Sequence, residues 1–519
     1  MPRAFDAKAA ERSLFDALID ARDRYGAKKP ILEDQNRTPL SYTDLIRGSF
    51  ALGRRIAGLT EPGERVGVLL PASAGVVVTF FGLHAFGRVP TMLNFTSGLR
   101  NLRAACKLAG VKTVLTAHAF IEQGKLHDLI DALEAHAKIV YLEDVRAKIG
   151  LADKLYAAAA GAFPRRFATR AGPDDTGVIL FTSGSFGAPR GVVLSQRNLL
   201  ANVEQVAAHI DLDPNWVMFN PLPTFHCFGL TGGALLPILT GMKAFQYPSP
   251  LHIKQIPPLI RDCKASILLA TDTFVNQYAR SADAGDLSGL EFIVCGAEKV
   301  RHETHDLVNE RFGGVPVLEG YGATEASPVV AVNKPKDNRR GTVGGLLPGM
   351  EARIDPVEGI PNGGRLFLRG PNVMAGYLRA DGGVDAPPDG WHDTGDVVTI
   401  TDDADQWIAI QGRVKRFAKI GGEMVSLTAA EDLASAVWPD GRHAVISMPD
   451  PKKGERLVLV TDRPDAAVAP LVAHAQSIGA PELAVPRKIL RVTEVPVLGT
   501  GKTDYVAIQR MAETEARAA

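Results

Sequence analysis

Phe181-Thr182-Ser183-Gly184-Ser185-Phe186-Gly187-Ala188-Pro189-Arg190-Gly191 follows a β-branched run, Val178–Thr182, and a helical-period stretch opens four residues later at Ser195. Glycine at 184, 187 and 191 lets backbone N–H groups approach a polyphosphate closely. The hydroxyls of Thr182, Ser183 and Ser185 add donors, and Arg190 supplies positive charge. The spacing is not that of a Walker loop, which demands G-x-x-x-x-G-K-[ST] before its helix. Taken by itself, such a stretch has a plainer alternative as a Gly/Ser-rich turn.

Outward from that loop, short β-branched runs alternate with helical-period segments between Arg65 and Phe312. Val66–Leu70, Val111–Thr116, Ile139–Leu142, Val178–Thr182, Ile267–Thr271 and Phe292–Cys295 read as strands; Ser195–His209, Leu251–Cys263 and His302–Phe312 read as helices. This alternation predicts an α/β fold of parallel sheets covered by helices on both faces. After about Gly341 helices thin out, and Glu351–Asp355, Arg365–Arg369, Asp396–Thr401 and Gln406–Gln411 predict a β-rich subdomain. From about Arg413 mixed α/β patterning returns, with strands near Ala444–Ser447, Leu457–Thr461 and Ile489–Val492 and a helix near Pro470–Ile478. The expected organisation is a large N-terminal domain over 1–412, followed by a small mobile α/β lid over 413–519. Within the large domain, α/β subdomains fall at about 1–170 and 171–340, and the β-rich part at 341–412.

Lys+Arg and Asp+Glu both number 58 in the 519 residues, and this balance argues against a nucleic-acid binder, which needs excess cations facing phosphates. Cys106, Cys227, Cys263 and Cys295 form no C-x-x-C pair, so zinc and disulfide frameworks are not expected and a reduced, cytoplasmic setting is. Met1–Arg12 is charged and lacks the apolar core of a secretory signal. Gly75–Gly87 is broken by His84 and falls short of the ~20 residues a membrane span needs. Ile149–Arg170 mixes Leu151, Leu155, Phe163 and Phe167 with Lys154, Arg165, Arg166 and Arg170. It reads either as a peripheral membrane contact or as a solvated connector, and Pro164, as a helix breaker, favours the connector.

Further stretches follow the first in a fixed order: Glu319-Gly320-Tyr321-Gly322-Ala323-Thr324-Glu325, Gly390-Trp391-His392-Asp393-Thr394-Gly395-Asp396, Gly412-Arg413-Val414-Lys415-Arg416 running to Gly422-Glu423, and Gly499-Thr500-Gly501-Lys502. Together they resemble the adenylate-forming superfamily of acyl-CoA synthetases, peptide-synthetase adenylation domains and luciferases, over about Ser41 to Tyr505. The resemblance implies an ATP-using enzyme and assigns roles by position. The Thr182–Gly191 loop, with Gly184, Ser185 and Gly187, would clamp the β- and γ-phosphates. Tyr321 would stack on adenine beside the Gly296-Ala297 backbone. Thr324 would hydrogen-bond the α-phosphate, and Glu325 would bind Mg²⁺, a hard cation that prefers carboxylate oxygen. Asp396 would accept from the ribose hydroxyls with Arg413 in support. Lys502 would neutralise charge building on the α-phosphate, a purely electrostatic task. Lys415 matches the hinge about which the small domain turns to exchange the lysine loop for a surface that admits a thiol. Phe186 and Arg190 depart from the family's usual polar residue and lysine in the loop, which bears on ATP affinity.

Between the loop and Tyr321 the family builds its acyl pocket, here over Pro223–Gly233 and Thr271–Phe274. His226, Phe228, Thr271 and Phe274 are the expected lining, and aromatic and small residues suit an apolar acyl chain. His226 joins Lys502, Thr324 and Glu325 in the expected catalytic set. It reads as a hydrogen-bonding wall, because a carboxylate is already ionised at pH 7 and needs no base. Finer texture in Tyr247–His252, Gly296–Lys299, Gly341–Gly344 and Phe417–Met424 resembles one branch. That branch is the acyl-carrier-protein synthetase part of the bacterial bifunctional 2-acylglycerophosphoethanolamine acyltransferase/synthetase. None of the 12 histidines has an aspartate five residues on, so the acyltransferase H-x-x-x-x-D chemistry is not expected. The expectation is activation of a long-chain fatty acid as acyl-AMP and transfer to acyl carrier protein. The alternatives are a coenzyme A ligase for a fatty or other carboxylic acid, and a non-catalytic nucleotide-binding homologue. A serine hydrolase lacks the G-x-S-x-G elbow.

Overall fold

The computed structural model describes residues 4–183, 189–360, 362–420, 423–450, 453–498 and 502–518. Gly184, Ser185, Phe186 and Gly187 of the expected phosphate clamp lie outside the described residues, as do Gly421-Gly422 and Gly499-Thr500-Gly501. The chain divides into two compact units, the first comprising Met1–Arg340, Leu346–Glu351 and Arg369–His392, the second Gly341–Gly345, Ala352–Leu368 and Asp393–Ala519. The segment expected as the β-rich part of the N-terminal domain is thus shared, with most of it grouping with the C-terminal residues. Ser426 helps tie it there, donating its hydroxyl to the Gln411 carbonyl at 3.1 Å.

The first unit is built on two large sheets flanked by helices. In the nine-stranded one, Pro30–Asp34, Lys243–Gln246, Val217–Asn220, Ile267–Ala270, Phe292–Cys295 and Val317–Gly322 run parallel side by side. Its core includes Phe219 stacked on Phe245 at 5.2 Å and Phe274 stacked on Tyr278 at 6.0 Å. Each buried phenyl contributes about 1.5–3 kcal/mol over leaving it exposed. Phe274, expected in the acyl pocket, is therefore a core residue, 2% exposed. Open parallel sheets bind ligands beyond the carboxyl ends of their strands, which here are Asn220, Ala270, Cys295 and Gly322.

In the eight-stranded sheet, Thr176–Ser183 pairs antiparallel with Pro189–Ser195, setting Thr182 opposite Arg190. A strand therefore follows the phosphate-loop stretch before the helix Gln196–His209 begins. Ser195 caps that helix, its hydroxyl accepting from Asn198 N–H at 3.1 Å while Asn198 Oδ1 accepts from Ser195 N–H at 2.8 Å. Ile149–Arg170 contains a regular helix, Leu151–Ala162. Pro164 does not break it, because it opens the next short turn, Pro164–Phe167, where its missing N–H costs nothing.

The second unit carries all but the end residues Glu351, Arg369 and His392 of a sheet of Glu351–Asp355, Gly364–Arg369, His392–Ile400 and Ile408–Arg413. It also carries one of Glu423–Ser426, Phe417–Ile420, Gly454–Thr461, His443–Asp450 and Lys488–Arg491. Leu427–Val437 and Val468–Ser477 pack on the latter, burying Leu433, Trp438, Val445, Leu459 and Leu471. Among the described residues no helix is long and apolar enough to cross a membrane.

Candidate active site

Neighbouring strand ends gather the expected nucleotide residues of the first unit. Phe292–Cys295 and Val317–Gly322 pair with Cys295 opposite Glu319, so Gly296-Ala297 and Gly320-Tyr321 continue side by side. The turn after Cys295 is pinned from both flanks: Glu298 accepts from Thr273 N–H at 3.1 Å and Glu319 from Val300 N–H at 3.2 Å. Ala297 sits at φ 72°, a left-handed conformation that a non-glycine residue holds only when its surroundings dictate it. Past Gly322, Thr324 and Glu325 lie half-buried in a single 3₁₀ turn, Thr324–Ala326.

His226 and Phe228 follow the strand Val217–Asn220. His226 is half-buried, its ring 4.7 Å from that of Phe225. Phe228–Leu235 winds as a π-helix, a rare form that recurs at functional sites. Side-chain amides support it, Asn220 Nδ2 donating to the Gly229 carbonyl at 3.1 Å and Gln246 Nε2 to that of Gly233 at 2.7 Å. Glycine is required at 229 and 233, where a Cβ would come within 2.3 Å of the Pro223 carbonyl and 2.2 Å of Asn220. The Phe228 ring lies against Gly296, close enough that a Cβ there would meet it at 3.1 Å. The expected pocket wall and the expected adenine loop thus share a surface. The hydroxyls of Thr224 and Thr271 are buried near these strand ends with no hydrogen-bond partner among the described residues, which marks places for a ligand or water. Asp272 is committed elsewhere, accepting from Arg301 Nε at 2.6 Å.

Tyr377 was not legible as a site residue, yet it joins two that were. The Arg190 guanidinium lies 3.5 Å over the Tyr377 ring, and the Tyr377 hydroxyl donates to Glu325 Oε1 at 2.7 Å. Arginine's planar fork suits this stack, where lysine would offer a point charge. Met374 N–H fixes the turn from the same segment, donating to the Glu325 carbonyl at 2.8 Å. No group of three or more His, Cys, Asp or Glu is placed to hold a metal among the described residues. A lone half-buried carboxylate fits Mg²⁺ that arrives with a nucleotide and keeps phosphate and water as its other ligands.

The remaining expected residues belong to the second unit. Asp396 and Arg413 are cross-strand partners, Arg413 Nε donating to Asp396 Oδ1 at 2.8 Å; the carboxylate is buried and the arginine side chain 69% exposed. Lys415 is exposed in the turn Val414–Arg416. Its neighbour Arg416 runs inward, donating to Glu431 Oε1 at 2.6 Å and to the Val445 carbonyl at 2.8 Å, and lies 3.8 Å over the Tyr505 ring. Tyr505 in turn donates to Glu431 Oε2 at 3.2 Å. Burial pushes the Glu431 carboxyl up, against the pull of Arg416 and Val445 N–H. Lys502 is exposed just before this tyrosine, and its carbonyl accepts from Leu498 N–H at 2.7 Å while Val497 bridges Thr503. One mostly buried carboxylate therefore anchors both the segment of the expected hinge and the segment of the expected catalytic lysine.

A helix-covered parallel sheet thus carries a Tyr-x-x-Thr-Glu turn at its strand ends. The chain belongs to the AMP-binding enzyme family, whose model matches residues 19–378. It is 27% identical over 433 residues to 4-coumarate--CoA ligase 2 of Oryza sativa subsp. japonica, covering 76% of this chain and 73% of that protein. The fold resembles that of the anthranilate CoA ligase AuaEII in complex with anthranoyl-AMP, with TM-score 0.82, 21% identity, and 99% and 100% of the two chains covered. It also resembles ATP-bound MatB from Rhodopseudomonas palustris, with TM-score 0.82, 24% identity, and 96% and 99% covered.

Proposed function

We propose that this chain is an acid–thiol ligase forming AMP and diphosphate, which activates a carboxylic acid with an apolar body and passes the acyl group to coenzyme A. The observation that carries the reading is the register that runs Gly320-Tyr321 on beside Gly296-Ala297, followed by the Thr324–Ala326 turn, with the Phe228 ring against Gly296. An acid lying along Phe228 would bring its carboxylate toward the α-phosphate of a nucleotide held at Tyr321 and Thr324. In the first half-reaction a carboxylate oxygen bonds to the α-phosphorus as the bond to diphosphate breaks. Thr324 donates to the α-phosphate, Glu325 would hold Mg²⁺, which would neutralise phosphate charge, and Asp396, braced by Arg413, accepts from the ribose. Lys502 stabilises the charge that develops at the α-phosphate. In the second, the thiol sulfur attacks the acyl carbon and AMP leaves, with Lys415 as the hinge between the two arrangements.

The acceptor departs from the carrier protein that the branch motifs imply. Coenzyme A is favoured because the curated relative is itself named a CoA ligase. The likeness of Tyr247–His252 and Phe417–Met424 to the carrier-protein branch supports the second reading, a fatty acid:[acyl-carrier-protein] ligase. ATP–diphosphate exchange over a panel of fatty and aryl acids comes first, followed by mass spectrometry with coenzyme A and holo carrier protein offered side by side. Acyl-CoA is expected to dominate. Thioester on carrier protein alone would replace coenzyme A as acceptor, and absence of exchange with every acid would leave a non-catalytic nucleotide-binding homologue.

A further inference from the structure

The helix Leu151–Ala162 is inverted, with its carboxylate inside and its apolar face outside. Its buried positions are Asp153, Ala157, Ala160 and Gly161. Asp153 accepts from Arg55 Nε at 2.9 Å and from Gly150 N–H at 3.0 Å, and the Gly161 carbonyl accepts from Arg22 at 3.1 Å. On the opposite side Leu151 is 73% exposed, Leu155 63%, and Phe163, the residue after the helix, 66%. Ala152, Ala158, Ala159 and Ala162 are exposed beside them, and at 3.6 residues per turn positions 151, 155, 158 and 162 form one stripe. Lys154 is the sole charged residue exposed on this helix, and exposed cations flank it, Arg146 and Lys148 before and Arg166 and Arg170 after. Exposed Glu143 and Asp144 precede these cations, but the chain as a whole has equal numbers of cations and carboxylates, so the excess of cations here is local.

We propose that this face docks on an anionic lipid surface. The helix lies in the plane of the interface, with Leu151, Leu155 and Phe163 among the acyl chains and Lys148, Lys154, Arg166 and Arg170 at the headgroup phosphates. Charge complementarity selects this occupant, because the apolar stripe carries Lys154 beside it and exposed cations at both ends, which suits acyl chains under a layer of anionic headgroups. Size speaks against a protein partner. A helix of this length is ~18 Å long and ~10 Å wide, so its face offers ~200 Å², where a stable complex buries about 800 Å² per partner. The inward face, held by Arg22 and Arg55, keeps the helix fixed whichever side chains point outward.

The test is flotation of the full chain with phosphatidylcholine vesicles, with and without phosphatidylglycerol. Binding is expected to the anionic vesicles only, and to fall severalfold at molar salt, where screening shortens to about 3 Å. A Leu155→Trp reporter is expected to shift its emission to the blue on binding. Leu151→Asn with Leu155→Asn is expected to cut the bound fraction about tenfold while ATP–diphosphate exchange is unchanged. Both side chains are exposed, so folding does not depend on them, and unaltered exchange and melting verify this. No binding to anionic vesicles, binding that the double variant retains, or a concentration-dependent dimer that the double variant abolishes would each overturn the proposal, the last in favour of a second copy of the chain.

Discussion

Each unit of this protein holds an arginine laid over a tyrosine whose hydroxyl donates to a glutamate. The geometry is nearly the same in both: Arg190 and Arg416 lie 3.5 and 3.8 Å over Tyr377 and Tyr505, which donate to Glu325 and Glu431 at 2.7 and 3.2 Å. The carboxylates differ in what remains of them. Both oxygens of Glu431 are used, Oε1 by Arg416 and Val445 N–H and Oε2 by Tyr505, and 13% of its side chain is exposed. Glu325 is half-buried, and among the described residues its carboxylate meets Tyr377 at Oε1 alone. A closed trio fixes backbone segments, whereas an open one orients a carboxylate and leaves an oxygen for a ligand. The same residue types thus make a closed joint in one unit and leave a carboxylate oriented but open in the other.

Breaking the closed trio is expected to have the largest effect. Glu431→Ala leaves Arg416 mostly buried without its partner and should cost about 3–5 kcal/mol of the second unit's stability, read from urea unfolding. Glu431→Gln keeps an acceptor for Val445 N–H and should lose less, about 1–3 kcal/mol. The pH dependence gives a second handle. Burial raises this carboxyl from 4.5, so the folded chain holds its proton more tightly than the unfolded one. Its contribution is fully present below pH 4.5 and is lost as pH rises through the raised value. The glutamine variant should lack that slope. Equal stability of the glutamate, glutamine and alanine forms would reduce the trio to a surface contact.

Lys502 sits on the segment that the closed trio anchors, and it comes next. Lys502→Ala should cut acyl-adenylate formation by about 10²-fold, measured as ATP–diphosphate exchange. Conversion of synthetic acyl-adenylate to thioester should survive. Equal loss in both half-reactions would mean that the lysine holds structure instead of serving the α-phosphate.

The sequence carried these sites unevenly. Phe292–Cys295, His302–Phe312 and Glu351–Asp355 are observed as read, because periodicity and breakers agree there. Val217–Asn220 and Val317–Gly322 went unread: the first is a short parallel strand with no alternation, and the second, parallel to Phe292–Cys295 on one side and antiparallel to Val329–Val332 on the other, ends in Gly, Tyr and Gly. The helix expected over Leu251–Cys263 runs Ile256–Asp262, beginning where Pro257 can take a first-turn position. Motif residues such as Thr324, Glu325, Asp396 and Arg413 were legible as contiguous patterns, and the cross-strand register then paired Asp396 with Arg413. Tyr377 and Glu431 were invisible. Tyr377 lies 52 residues from Glu325, Glu431 lies 74 from Tyr505, and chain spacing says nothing of contacts that only the fold makes.

The open trio is expected to be more tolerant. Tyr377→Phe retains the ring under Arg190 and removes the hydrogen bond to Glu325. Removing a group that orients a metal ligand typically costs about 10–100-fold in metal affinity, so apparent affinity for Mg·ATP should fall by about tenfold. The KM for the acid should hold, as should the melting temperature. A drop in stability with unchanged Mg·ATP affinity would assign the tyrosine to packing.

The smallest effect is expected at Arg190, where the comparison is sharpest. Arg190→Lys keeps the charge in the phosphate-loop stretch but gives up the flat stack on Tyr377, since an ammonium is a compact, strongly hydrated cation. At an exposed site such a stack is worth about 0.5–1 kcal/mol, so the KM for ATP should rise by roughly two- to fivefold with kcat little changed. The matching change in the closed trio, Arg416→Lys, should cost more, because the guanidinium there also donates to Glu431 and to the Val445 carbonyl from a position 17% exposed. A lower KM for ATP in Arg190→Lys would reverse the reading of the open trio. It would mean that the stack on Tyr377 restrains the cation from the phosphates, and that the family's lysine is the better clamp because it is free to follow them.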